Sequence, residues 1–178
     1  AEDDLFPRIL RADLAEPTGR YDHAVLGDAL EWGALRLTLD GGVARTITLA
    51  KTRVFEDVEA RLADVTGDAA PEVVVVETDL ARGASLAIYG PAGKIAATDF
   101  IGQSRRWLAP AGIADFDGDG QVEIAYVDRP HLLGDLVFVR LEGDQLVETL
   151  RLPGLSNHRI GDDVISGGVR DCGQGAEL

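Results

Sequence analysis

Apolar residues in this chain fall on alternate positions in short runs, and no long segment carries the three-to-four-residue period of an amphipathic helix. Leu35-Arg-Leu-Thr-Leu39 alternates apolar with polar, Asp40-Gly41-Gly42 turns, and Val43-Ala-Arg-Thr-Ile-Thr-Leu49 alternates back, the pattern of a hairpin with one buried face. Val73-Val-Val-Val76 is an unbroken β-branched run and predicts a strand buried on both faces. Ala84–Tyr89 and Lys94–Thr98 flank the turn Gly90-Pro91-Ala92-Gly93. Asp135–Arg140 and Leu146–Leu152 flank Glu142-Gly143-Asp144. Phe55–Leu62 tolerates a helix by pattern, but its place before an acidic loop favours a strand or an irregular approach. Residues 1–18 are polar, contain Pro7 and Pro17, and read as an N-terminal arm or lead-in strand. The predicted fold class is all-β.

Between these strands lies the run Asp115-Phe-Asp-Gly-Asp-Gly-Gln-Val-Glu123. Asp115, Asp117, Asp119 and Glu123 place oxygens at its first, third, fifth and ninth positions, and Gln121 offers a backbone carbonyl. That is the alternate-residue spacing by which a tight loop surrounds a hard cation. An EF-hand would need a bidentate Glu at position 12 and a following helix. Tyr126 stands there, inside the strand-like Glu123–Asp128. The loop therefore opens a strand. Asp64, Thr66, Asp68 and Glu72, with the Ala70 carbonyl, show the same pattern earlier in the chain, ahead of the valine run. Val169–Glu177 repeats it once more but keeps only Asp171, Glu177 and the glycines. A fainter echo stands at Gly27-Asp28-Ala29-Leu30-Glu31. A period of about 50 residues with about four strands per unit predicts a β-propeller, with repeats at about 19–77, 78–128 and 129–178.

These loops, together with Phe100-Ile-Gly102 and Ala109-Pro110 upstream of the best one, resemble the FG-GAP/VCBS repeat family, bacterial relatives of the integrin α-subunit propeller. The resemblance covers roughly residues 20–178. It implies a propeller whose blades carry an Asp-x-Asp-Gly-Asp-Gly-x-x-Asp/Glu calcium loop, hence one Ca2+ at 115–123 and a second at 64–72. The match is close in the first of these loops, looser in the second where Thr66 replaces an acid, and poor at 169–177. Fold and metal follow from it more directly than function, because the family includes adhesion modules, enzyme appendages and secreted proteins of other kinds.

The charge bears on partners. Net charge is −14 over 178 residues, so neither nucleic acid nor an anionic membrane surface fits, since both call for clustered Lys and Arg. Four carboxylates in one short loop repel by about 1 kcal/mol per close pair even in water unless a cation neutralises them. No apolar run reaches the ~18–20 residues of a membrane span. The sequence holds no Met, so either a signal peptide was removed or the sequence is a fragment, and Ala1 fits a mature start after signal cleavage. The expected location is therefore periplasmic or extracellular, where millimolar calcium suits weak loops. Three and a half repeats fall short of a closed ring, which gives the expectation of an array incomplete at its C-terminus. A single cysteine, Cys172, supplies no disulfide framework.

No nucleophile elbow or phosphate-binding glycine loop is present. His23, His131 and His158 share no ligand spacing. Arg105, Arg106 and Trp107 form the only basic-aromatic cluster, and the segment Arg129-Pro-His131-Leu-Leu133 is a second loop candidate. Arg and Trp are favoured interface anchors, and packing between blades is an equal use for this cluster. The expectation is a non-enzymatic, exported, calcium-stabilised propeller that binds another protein, in a cell-envelope or membrane complex. The alternative is a carbohydrate-binding module or a glycan-active enzyme in which Glu31, Asp99 or Asp128 meet. An aromatic content of 6% is low for a sugar-stacking face and favours protein recognition.

Overall fold

Two open antiparallel sheets and a two-stranded hairpin make up the computed structural model, which describes residues 7–27 and 29–178. The first six residues of the arm, and Asp28 of the faint echo, lie outside the described residues. Strand β1 (Ile9–Thr18) pairs with β2 (Glu31–Leu39), so most of the predicted arm is a strand. A 3-10 turn at Asp40–Gly42 returns the chain into β3 (Ala44–Thr48), as the alternation predicts. Strands β4 (Arg53–Phe55) and β5 (Arg61–Ala63) both lie along one edge of β6 (Glu72–Asp79), and β7 (Gly83–Gly90) and β8 (Gly93–Ala97) continue from its other edge. The stretch 56–60 between β4 and β5 is irregular, not helical. The second sheet is a four-stranded meander of β9 (Leu108–Ala114), β10 (Glu123–Asp128), β11 (Asp135–Glu142) and β12 (Gln145–Pro153). Strands β13 (Arg170–Asp171) and β14 (Ala176–Glu177) form the hairpin. The sheets do not close into a barrel. No helix among the described residues is long and apolar enough to cross a membrane.

The valine run of β6 does not alternate because both faces of its sheet are covered. Successive strand residues point to opposite faces. Val73 and Val75 pack with Leu35, Leu37, Phe55 and Tyr89 on the side of β2, whereas Val74 and Val76 pack with Ile124, Tyr126, Val137 and Val139 of the second sheet. All four valines have no exposed surface. Each such side chain contributes about 1.5–3 kcal/mol relative to exposure.

Strand β10 repeats the arrangement. Ile124 and Tyr126 face the core shared with β6, and Ala125 and Val127 form a smaller cluster with Leu136, Phe116 and Phe138 on the opposite face. The C-terminal segment covers part of that face. A Cβ on Gly112 would lie 2.6 Å from Leu178 Cδ1 and 2.8 Å from Val169 Cγ2, so glycine there admits both side chains. An acidic loop enters β6, at the centre of its own part of the first sheet, and a second acidic loop enters β10 in the same way.

Candidate metal centre

The loop joining β9 to β10 is wound by its own carboxylates. Asp115 accepts backbone hydrogen bonds from Gly118 at 2.7 Å and Gly120 at 2.9 Å, one on each oxygen. Gly118 and Gly120 take φ of 79° and 89°. These values fall in the left-handed region that glycine enters without penalty. Glu123 reaches back from the start of β10 to accept the Phe116 N–H at 2.8 Å. The loop joining β5 to β6 repeats these bonds position for position. Asp64 accepts from Gly67 at 2.7 Å and Ala69 at 2.9 Å, and Glu72 accepts from Val65 at 3.0 Å. In both, the fifth-position aspartate accepts the seventh-position N–H at 2.8 Å: Asp119 from Gln121 and Asp68 from Ala70. The sequence repeat is thus a geometric repeat.

The two loops differ at the third position. Thr66 places its hydroxyl 3.3 Å from Glu72 Oε1, where it donates, and both oxygens of Glu72 have partners. Asp117 puts a carboxylate where the other loop has the Thr66 hydroxyl, and an ionised carboxylate only accepts. Glu123 is 3% exposed, and its Oε1 is buried without a hydrogen-bond partner among the described residues. One carboxylate oxygen from each of Asp115, Asp117 and Glu123 falls in a cluster whose members lie within 4.8 Å of one another. Burial, and then the charges of Asp117, Asp119 and Asp115, push the Glu123 carboxyl above its ordinary range. A buried carboxylate with one orphaned oxygen, clustered with two further carboxylates, is a donor set that suits a hard cation, whose charge would reverse each of these penalties.

Asp119 stands apart from this cluster. Its oxygens accept from the Gln121 backbone and side chain and from Arg140 at 3.0 Å, and the Gln121 bond first of all holds its carboxyl below the usual range. Gln121 thereby braces Asp119. In the degenerate loop, Asp171 accepts from Gly173 and Gly175, and Glu177 pairs with Arg170 at 3.1 Å, so both surviving acids are engaged.

No family model matches this chain, and neither does any curated protein or solved structure.

The other predicted residues gather elsewhere. Trp107 is 2% exposed and belongs to the core between the sheets, donating its indole N–H to the Glu56 carbonyl at 2.9 Å. Around it sit all three histidines of the chain. His158 packs edge-on to the indole with ring centres 4.9 Å apart, and His131 stacks at 6.5 Å. His158 Nε2 lies 3.0 Å from the Asp162 carbonyl, which can only accept, so this nitrogen carries the proton. In neutral His158 the Nδ1 then accepts from His131 Nε2 at 2.9 Å. His23 Nδ1 lies 2.5 Å from Glu56 Oε1, and the other oxygen of Glu56 accepts from Thr78 at 2.6 Å. Spacing along the chain gave no hint of this cluster, because Trp107 and the three histidines come from four separate connections.

Arg105, Arg106, Arg129, His23 and His131 line one small notch against Trp107, about 30 Å³ in volume. The two loop segments singled out in the sequence therefore adjoin. Asp99 and Asp128 both line a separate cavity of about 310 Å³ between the segment that follows β8 and strand β12, which Tyr126 and Glu148 help to line. Asp128 is bound there by Arg129 at 2.8 Å and Arg151 at 3.2 Å. Glu31, at the start of β2, is not among the lining residues.

Proposed function

We propose that the protein is a calcium-binding module of the FG-GAP/VCBS type, built on propeller-like four-stranded repeats, that works outside the cytoplasm by binding another protein rather than by catalysis. The observation that carries the calcium reading is the unpartnered Glu123 Oε1 beside Asp115 and Asp117. Ca2+ suits the site better than Mg2+, because a loop of carboxylates and carbonyls meets its irregular coordination, while Mg2+ demands near-ideal octahedra and keeps its waters. Affinity on the order of 10⁻⁴–10⁻³ M matches extracellular modules and periplasmic or extracellular calcium.

Loop 64–72 supports a second site less well, because the Thr66 hydroxyl already satisfies Glu72. The cation would tie the end of β9 to the start of β10 and so hold two strands of the second sheet in register. In this reading its role is structural, and the interaction surface lies elsewhere. A partner in a cell-envelope or membrane complex fits an acidic module of this kind.

Calorimetric titration with Ca2+ tests the metal. One site per chain that disappears in Asp117→Ala and resists a tenfold excess of Mg2+ supports the reading; no heat and no thermal shift with Ca2+ rejects it. Capture from a cell envelope in calcium and in EGTA, with identification of the retained proteins, tests the assembly role.

A further inference from the structure

We propose that the notch against Trp107 receives a single carboxylate, presented by an acidic segment of a partner protein. This deepens the protein-binding part of the reading above and does not depend on the calcium loop. The first observation is charge. Three arginines and two histidines meet at the notch, with no Asp or Glu among its lining residues, in a chain whose net charge is −14. Arg105 is paired with Asp22 and Arg129 with Asp128. Arg106 has no carboxylate partner among the described residues and donates only to the neighbouring Arg105 carbonyl, at 3.0 Å. A guanidinium presents a planar fork of donors that matches a carboxylate.

The second observation is backbone strain. Arg105 and Arg129 have φ of 55° and 47°, and they stand on the two separate segments that flank Trp107. Both values fall in the left-handed region that non-glycine residues rarely occupy. Each residue is held there by specific bonds. The Arg105 N–H donates to the Tyr21 hydroxyl at 2.7 Å. The Arg129 N–H donates to the Trp107 carbonyl at 3.0 Å, while the Arg129 carbonyl accepts from Leu132, Leu133 and Gly134. Such strain persists where surrounding structure over-determines it, and it concentrates at binding sites.

Size selects the ligand. A cavity must offer about 10–15 Å³ of this volume to hold one water. The notch, at about 30 Å³, has room for the two oxygens of a carboxylate and is small for a phosphate or a sugar ring. The acidic remainder of the surface also repels an extended polyanion, while a single carboxylate within a Debye length of ~8–10 Å feels chiefly the notch. A protein side chain satisfies both conditions, and a nucleic acid does not.

The test uses the two tryptophans, Trp107 at the notch and Trp32 in β2, which is not among the residues that line it. The blocked peptide Ac-Gly-Glu-Glu-Gly-NH2 is titrated into 15N-labelled full-length protein, with Ac-Gly-Gln-Gln-Gly-NH2 and inorganic phosphate as parallel arms. The expected result is a saturable shift of the Trp107 indole N–H signal with the glutamate peptide alone, no shift of Trp32, and weakening as salt is raised severalfold. Arg106→Glu should lower the affinity at least about tenfold and Arg106→Lys by only about two- to fivefold, since lysine keeps the charge but not the fork. No Trp107 shift, an equal shift with the glutamine peptide, or a stronger one with phosphate would overturn the proposal. Repeating the titration in Asp117→Ala separates the readings: peptide binding retained without the calcium site leaves the notch standing, whereas a parent protein that binds calcium but not the peptide leaves only the calcium module.

Discussion

The Thr66 hydroxyl lies 3.3 Å from Glu72 Oε1, whereas Asp117, at the equivalent place in the second loop, has no proton to give to Glu123 Oε1. One loop closes its hydrogen bonds internally and the other leaves an acceptor for a cation. The exchange Asp117→Thr should therefore abolish calcium binding while leaving the metal-free protein at least as stable as the parent. Thr66→Asp should do the converse and raise the calorimetric stoichiometry from one to two. A Thr66→Asp protein that still binds a single ion would show that the third position does not decide occupancy.

Calcium should also raise the melting temperature. At a free concentration of ten to a hundred times the dissociation constant, binding to the native state alone adds about 1.4–2.7 kcal/mol. For a chain of this length that corresponds to a shift of roughly 3–10 °C. In EDTA, Asp117→Ala should melt no lower than the parent, because it removes one of the charges that push the Glu123 carboxyl upward. Scanning calorimetry of both proteins with Ca2+ and with EDTA checks this. Equal melts of the parent in the two solutions would contradict it.

Alkaline titration provides a test of the core that is independent of metal. Burial, with Glu56 second, pushes the Tyr21 phenol up to about 12, and burial with Asp128 second does the same for Tyr126. Tyr89 is pushed up as well, by burial and Glu77. These are all the tyrosines of the chain. Because the folded values lie above the ordinary 10.0, their contribution to stability is complete below pH 10 and is lost as pH rises from there through about 12. The phenolate absorbance band should be almost absent in the native protein at a pH just above 10, and should rise cooperatively on alkaline unfolding. A smooth titration centred near pH 10 would mean that the phenols are solvated.

Gly83→Ala should be the most damaging of the small substitutions. Gly83 has φ of +79°, and a Cβ there would lie 2.3 Å from the Gln103 carbonyl oxygen and 2.8 Å from that of Arg106. Backbone cannot yield as a flexible side-chain end does, so a loss of about 2–4 kcal/mol is expected by chemical denaturation. The same change should displace Arg105 and Arg106 and weaken the glutamate-peptide shift at Trp107. Gly41 has φ of +70° but open space around it. Ala substituted there should cost distinctly less.

The strands were legible in the sequence because their signal is local. Alternation in Leu35–Leu39, the valine run of β6 and the turn glycines depend only on which face of a strand each residue occupies. The acidic loops were legible for the same reason. Asp115 winds its own turn through the N–H groups of Gly118 and Gly120, so the spacing alone contains the geometry, and the sequence repeat foretold that Asp64 would wind its loop alike. What the pattern could not supply was any relation between distant segments. Trp107 looked like an exposed anchor or a packing residue, and only the stacking of two sheets made it buried core. Three histidines with no shared spacing met around it because separate connections converge there, and the same convergence joined Arg105 and Arg106 to Arg129. The sequence by itself determined the all-β character, the turns and the winding of the acidic loop, since hydrogen bonds within a few residues fix these. The tertiary structure decided which carboxylate oxygen is buried without a partner and which cations share a notch, because burial and long-range proximity arise only when the layers pack.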